Sequence, residues 1–266
     1  MSFSAQWLAM REPYDQAARN PAVLDAVKKA FAGFAAVRIA DLGCGTGSTM
    51  RAVAPLLPAR QDWRLLDNDA GLLEAAHDAA PAICEVTTAQ VDLVADLGRA
   101  FEADTDLVTM SALLDLVSVQ WLERLVAMLA ISGRPLYAAL SYDGRVGLTP
   151  ACDFDETVIA AVNRHQRTDK GFGPALGPQA AATAPELLER RGFAIRRGRS
   201  DWIFGPPDRE IQLEMLAGWA GAAAEMGVAS GPLDDWLAER RDHAEAGRSQ
   251  MRVGHLDIFA APIGAR

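Results

Sequence analysis

The run Val37-Arg38-Ile39-Ala40-Asp41-Leu42-Gly43-Cys44-Gly45-Thr46-Gly47-Ser48 constrains the fold more than any other part of the chain. A short apolar strand leads into three glycines at alternate positions, and a helix start follows. Glycine tolerates φ > 0 and lets a ligand approach the main chain with no Cβ in the way. Ser48 is placed to cap a helix over Thr49 to Leu57, whose free N–H groups and positive dipole end favour negative charge. Two related loops are excluded by spacing. A dinucleotide fingerprint wants its third glycine where Ser48 stands, and a phosphate-gripping P-loop needs a lysine that none of these glycines precedes.

Three further segments have the same strand-then-polar-end form. Trp63-Arg64-Leu65-Leu66-Asp67-Asn68-Asp69 ends in carboxylates twenty residues after Gly47, a gap that fits one β-α-β unit. Carboxyl ends of neighbouring parallel strands border one crevice, so Asp67 is expected to face whatever the glycine loop holds, and Asp69 to cap a helix over Ala70 to Asp78. Ile83 to Leu93 is β-branched and ends at Asp92; an aspartate there also serves as an ordinary turn former. Asp104 to Asp115 reads as a fourth strand followed by the small residues Ser111 and Ala112.

The pattern D-x-G-x-G-x-G resembles motif I of the class I S-adenosylmethionine-dependent methyltransferases, and the four strand ends follow that family's order and spacing. The resemblance covers residues 36 to 142, with strands near 193 to 199 and 252 to 261. It implies an α/β fold: a doubly wound, seven-stranded, mostly parallel sheet in the order 3-2-1-4-5-7-6, the seventh strand antiparallel, with helical insertions as a lid. It also implies S-adenosyl-L-methionine as cofactor and S-adenosyl-L-homocysteine as product. By position in the motifs, Asp41, Gly43, Cys44, Gly45 and Gly47 would form the cofactor loop. Asp67 would accept from the ribose hydroxyls and Asn68 would lie beside the adenine. Asp92 would accept from the adenine amino group with Leu93 along the ring, and Ser111 and Ala112 would lie under the methionine part. Tyr14-Asp15-Gln16-Ala17-Ala18-Arg19 is similar to the entry segment of small-molecule members, which implies that Tyr14 and Arg19 close over the methionine end. A surface arginine on an amphipathic helix is the competing reading of Arg19.

Composition agrees. The 266 residues are 50% hydrophobic, with no composition break, repeat or low-complexity tract. One methyltransferase domain over 1–266 is expected: an N-terminal helical cover (1–35), a cofactor core (36–142), substrate-side insertions (143–183 and 205–250) and a last strand (252–261). No apolar run approaches the roughly 18 residues of a membrane span, and Ser2 to Asn20 lacks the basic start and apolar core of a signal peptide, so a cytoplasmic protein is expected. The net charge of −9 argues against nucleic acid as a partner, and the arginines around Gly192 read as a solvated patch. Cys44, Cys84 and Cys152 are too scattered for a disulfide framework or a zinc site, so no metal is expected.

Helices are predicted over 21–32, 119–131, 185–191, 208–226 and 233–246, and a fifth strand over 135–142. Asn163 to Gly173 concentrates charge beside flexible glycines. His165 is the first candidate for a general base because imidazole titrates near neutrality; Asp115 and Asp143, just beyond strands four and five, are the alternatives. Arg164, Arg167 and Lys170 are candidate contacts to an anionic or polar small-molecule acceptor. The expected reaction is in-line methyl transfer to oxygen or nitrogen. Two alternatives stay open, a non-methylating relative such as an aminopropyl transferase and a catalytically idle binding module. A nicotinamide dehydrogenase is a third rival for the same crevice. The sequence leaves oligomeric state unspecified.

Overall fold

The computed structural model describes residues 4–101 and 105–264; Asp104, at the start of the fourth predicted strand segment, and residues 2 and 3 lie outside them. In chain order the elements are α1 (Ala5–Ala18), α2 (Pro21–Phe31), β1 (Val37–Leu42), α3 (Ser48–Val53), β2 (Gln61–Asp67), α4 (Ala70–Asp78), β3 (Cys84–Gln90), β4 (Leu107–Ser111), α5 (Val119–Ser132), β5 (Leu136–Thr149), α6 (Asp155–His165), α7 (Ala180–Arg190), β6 (Phe193–Arg199), β7 (Trp202–Phe204), α8 (Arg209–Glu225), α9 (Ser230–Glu245) and β8 (Gln250–Pro262).

The sheet order is β3-β2-β1-β4-β5-β8-β6, with β7 paired to β8 beside this path. β8 is antiparallel to its neighbours, and the pairs among β1 to β5 are parallel. This is the expected order with one short strand added, which makes the last strand the eighth. The central parallel strands β1, β4 and the first half of β5 are buried on both faces, as α/β architecture requires, whereas the edge strand β3 is half-buried to exposed along its length. Ala40, Leu42, Val108, Met110, Leu136 and Ala138 pack toward α5 and α7. Their alternates Val37, Ile39, Leu65, Leu107, Tyr137 and Ala139 pack toward α2, α3 and α4. A third apolar cluster joins α6, α8 and α9 to β7 and the outer half of β8 around Tyr142, Trp202, Phe204 and Trp236.

Several boundaries differ from expectation for identifiable reasons. β5 runs on to Thr149 because Ser141–Thr149 finds a partner in Gln250–Leu256, past bulges at 138/141 and 142/146. The first insertion therefore begins as strand. Ser48 is not a cap: Gly47 at φ 82 takes the N-cap position with no side-chain bond, so the helix starts one residue early. That helix stops at Val53, where Pro55 turns the chain into a 3-10 turn. α7 starts at Ala180 rather than Pro185, since Ala180–Ala184 is rich in the best helix former and Pro185 is absorbed inside. Asp69 caps α4 as expected, its Oδ1 accepting from Gly71 N–H at 2.9 Å and Leu72 N–H at 3.2 Å. Among the described residues no helix is long and apolar enough to cross a membrane.

Candidate functional site

At the carboxyl edge of β1 the chain passes through Gly43, Gly45 and Gly47, all with positive φ. Gly45 is the tightest point. A Cβ there, already strained at φ +53, would stand 3.2 Å from Leu8 Cδ1 of α1, which lies across the loop. Asp67, delivered by the end of β2, fastens the loop from the other side: Oδ2 accepts from Gly45 N–H at 2.9 Å and Oδ1 from Asp69 N–H at 3.1 Å. α1 is tied down in turn by Glu12, which receives Arg51 Nε and Nη2 at 2.6 Å each, while Arg51 Nη1 donates to Thr46 O at 2.6 Å.

Between this loop, α1 and the segment 170–172 lies a cavity of about 180 Å³. Its lining comes from the ends of four neighbouring strands. Gly43, Cys44 and Gly45 follow β1; Asp67 and Asn68 follow β2; Asp92 and Leu93 follow β3; Ser111 and Ala112 follow β4. Asp92 also shapes its own turn, Oδ1 accepting from Val94 N–H at 2.8 Å. Ala112 is left-handed at φ 50, a conformation unusual outside glycine, and its N–H donates to Ala139 O at 2.9 Å.

Among the described residues, three buried polar atoms at or beneath this floor have no protein partner: Asp41 Oδ2, Ser111 Oγ and Arg19 Nε. Asp41 Oδ1 accepts from Thr109 Oγ1 at 2.7 Å. Burial pushes the Asp41 carboxyl up to about 6, against the Thr109 bond and the Arg19 charge. A carboxylate with an empty oxygen in such a place is suited to a cationic or N–H donor.

Other predicted site residues sit away from the cavity. Gly47 and Asp41 lie behind its lining. Tyr14 points to the far side of α1, its hydroxyl donating to Asp208 at 2.8 Å and its ring edge-on to Phe204 at 4.9 Å. Arg19 is buried below the floor, donating to the Tyr137 hydroxyl at 3.1 Å and Thr49 Oγ1 at 3.4 Å; it is no surface arginine either. His165 lies at the end of α6 with Nε2 2.9 Å from Glu225, outside the lining. Asp143 is inside β5 and bound with Asp201 to Arg145 at 2.5 to 3.1 Å. Asp115 is buried, accepts from Tyr142 N–H at 3.4 Å, and is raised to about 6 by burial. Arg164 and Arg167 are exposed, whereas Lys170 lines the cavity.

Leu8, Arg11 and Asp15 line the cavity from α1 and were not singled out in the sequence. Their spacing of three and four was the available signal, because it places them on one helical stripe. Arg11 Nε donates to Asp15 Oδ2 at 2.9 Å, and its guanidinium lies 5.0 Å from the Trp202 ring centre. Trp202 Nε1 donates to Asp15 at 3.0 Å. Phe172, also missed, closes the opposite wall edge-on to Trp121 at 5.4 Å. Away from the cavity, Cys152, Glu239 and His243 bring potential ligand atoms within 4.8 Å of one another. Arg248, 3.1 Å from His243 Nδ1, places a positive charge against that group and disfavours a cation there.

No family model matches the chain, and no curated protein matches it. Solved structures do. A cyclopropane-fatty-acyl-phospholipid synthase-like protein from Lactobacillus casei aligns with TM-score 0.56 and 14% identity over 97% of this chain and 94% of its own. The YcgJ protein of Bacillus subtilis gives 0.53 and 13% over 91% and 99%. YjhP of Escherichia coli gives 0.50 and 14% over 98% and 99%. The chain shares their fold across nearly its whole length, the doubly wound sheet anticipated from the strand ends.

Proposed function

We propose that the protein binds S-adenosylmethionine and transfers its methyl group to a small-molecule acceptor. The observation that carries this reading is the convergence of four consecutive strand ends, glycine loop, Asp67, Asp92 and Ser111-Ala112, on one cavity. The lining fits an adenosyl group with an amino-acid tail. Asp67 spends one acceptor site of each oxygen on the loop and keeps others for ribose hydroxyls, at about 1.5–3 kcal/mol per hydrogen bond to a charged group. Asp92 faces the adenine amino group, with Leu93 along the ring. The unpartnered Asp41 Oδ2 and Ser111 Oγ supply polar atoms for the ammonium end. Arg11, not Arg19, stands on the cavity wall to receive the carboxylate.

When bound, S-adenosylmethionine supplies an electrophilic methyl carbon: the acceptor's lone pair bonds to it as the carbon–sulfur bond breaks, releasing S-adenosylhomocysteine and a proton from the acceptor. The chain's own part is placement. Good orientation alone is equivalent to about 10⁵–10⁸ M effective concentration, and α1 with the 170–172 segment walls the cavity from water. Of the three base candidates none lines the cavity, which favours an acceptor that attacks without a dedicated histidine. The lining carboxylates and the net charge of −9 support a small-molecule partner rather than nucleic acid.

The test is incubation with S-adenosylmethionine labelled in the methyl group and the low-molecular-weight fraction of a cell extract. Label is expected in a small organic product. A preference for the decarboxylated cofactor would point to aminopropyl transfer and leave Arg11 without a ligand; binding with no transfer to any fraction would indicate a binding module.

A further inference from the structure

Lys170 is the one predicted acceptor contact that reaches the cavity, and its setting there is unusual. Only 7% of it is exposed. Nζ donates to Thr168 Oγ1 at 3.0 Å and lies 3.3 and 3.5 Å from the two ring nitrogens of His165, a position over the ring rather than in its plane. Among the described residues no carboxylate comes within salt-bridge distance of it. The acidic group that bears on it is Glu225, which is itself engaged 2.9 Å from His165 Nε2. Burial pulls the Lys170 ammonium below its usual value, with Glu225 partly opposing.

The turn that presents Lys170 is firmly built. Asp169 Oδ1 accepts from Gly171 N–H at 2.7 Å and Gly173 N–H at 3.0 Å. Phe172 rests on Trp121, and Leu176 N–H and Gly177 N–H donate to Val117 O and Asp115 O at 2.9 Å each. A buried ammonium held at a cavity wall without a counter-charge costs free energy unless something in the cavity pairs with it.

The cofactor proposed above carries a single anionic group; Arg11, which pairs with the lining carboxylate Asp15 through Nε at 2.9 Å and Nη2 at 3.3 Å, is assigned to it through its remaining donors. Asp67 and Asp92 are matched to hydroxyl and amino donors. Lys170 has no counterpart on that molecule. We propose that Lys170 marks the acceptor's end of the cavity and that the acceptor is a small organic carboxylate whose charged group pairs with Lys170 while its apolar body lies along Leu113, Leu116 and Phe172. This rests on the cofactor reading. A carboxylate is preferred to a phosphate because one ammonium balances one negative charge, and Arg164 and Arg167, the arginines of the same segment, are exposed and outside the lining, away from where they would share a dianion.

The probes are matched acids and amides: benzoate and benzamide, 3-phenylpropionate and 3-phenylpropionamide, indole-3-acetate and indole-3-acetamide, hexanoate and hexanamide. Each is titrated calorimetrically into protein saturated with S-adenosylhomocysteine. At least one acid is expected to bind about tenfold or more tighter than its amide, the scale of one hydrogen-bonded charge. Lys170→Arg should keep the preference and Lys170→Met should abolish it. The proposal is overturned if no acid outbinds its amide, or if the preference survives in Lys170→Met. Separate titration of S-adenosylhomocysteine distinguishes the two ideas: normal cofactor binding without acid preference removes this inference alone, and absent cofactor binding in the wild type removes the reading beneath it.

Discussion

Asp67 serves two structural masters, since the oxygens that bond the backbone at Gly45 and Asp69 are the ones offered to a ribose. Asp67→Ala should therefore weaken S-adenosylhomocysteine binding tenfold or more, from about 1.5–3 kcal/mol of lost charged hydrogen bonding, and should also lower thermal stability as Gly45 N–H loses its acceptor. Unchanged affinity by calorimetry would remove the ribose assignment. His255 makes a second prediction. It is 5% exposed, its Nδ1 has no partner, and burial lowers it from 6.5 to about 3, with the Arg11 charge adding to the effect. An imidazole held neutral in the fold contributes its full stability above pH 6.5 and loses it as the pH falls toward 3. Between pH 7 and pH 5 the stability deficit of His255→Asn relative to wild type should shrink by about 2 kcal/mol in urea denaturation; a deficit independent of pH would contradict this placement. Asp41 and Asp115, raised to about 6 by burial, act in the opposite sense. Their stabilisation is complete below the ordinary carboxylate value near 3.8 and is lost as the pH rises through 6, so only the difference from the variant isolates the histidine.

At the scale of elements, α9 is pinned to α6 by a buried ion pair. Arg240, 1% exposed, donates from Nε to Asp155 at 2.9 Å, makes a close second contact through Nη2, and reaches Pro150 O at 2.6 Å; Trp236 Nε1 donates to Asp155 at 2.8 Å. Arg240→Ala would strand a buried carboxylate and should cost about 3–5 kcal/mol by chemical denaturation. S-adenosylhomocysteine affinity should stay unchanged, because neither residue lines the cavity. A loss below about 1 kcal/mol would mean the pair is not buried as described. The elements that the sequence makes legible are those whose signal is local. β1, β2 and β4 read as apolar runs because parallel strands are covered on both faces, and the glycine loop and Asp69 cap carry their chemistry within a few residues. What escaped depends on rotation and reach. Tyr14 and Arg11 are three residues apart on one helix, yet only the crossing of α1 over Gly45 decides which of them faces the cavity. Likewise His165 and Lys170 share one charged run, and the turn built on Asp169 selects the lysine. β5 outran its predicted end because its partner, Gln250–Leu256, lies a hundred residues away.

Across the whole molecule, the parallel sheet acts as a delivery device: strands separated in sequence end side by side, and their polar termini meet at one edge while the apolar faces bury under helices. The insertions after β5 and β7 then build a separate apolar cluster with β8 and bring the 170–172 turn over the opening. The arginines of β6 lie at the far edge of the sheet, exposed and away from the cavity, in keeping with a solvated patch. Every functional role given to these strand ends requires that the cavity accept an adenosyl group. Calorimetric titration of the intact chain with S-adenosylhomocysteine, run beside NAD, tests it most directly. One-to-one binding of S-adenosylhomocysteine at micromolar affinity, with no heat from NAD, is the predicted result; binding of NAD with none of S-adenosylhomocysteine, or of neither, would contradict it.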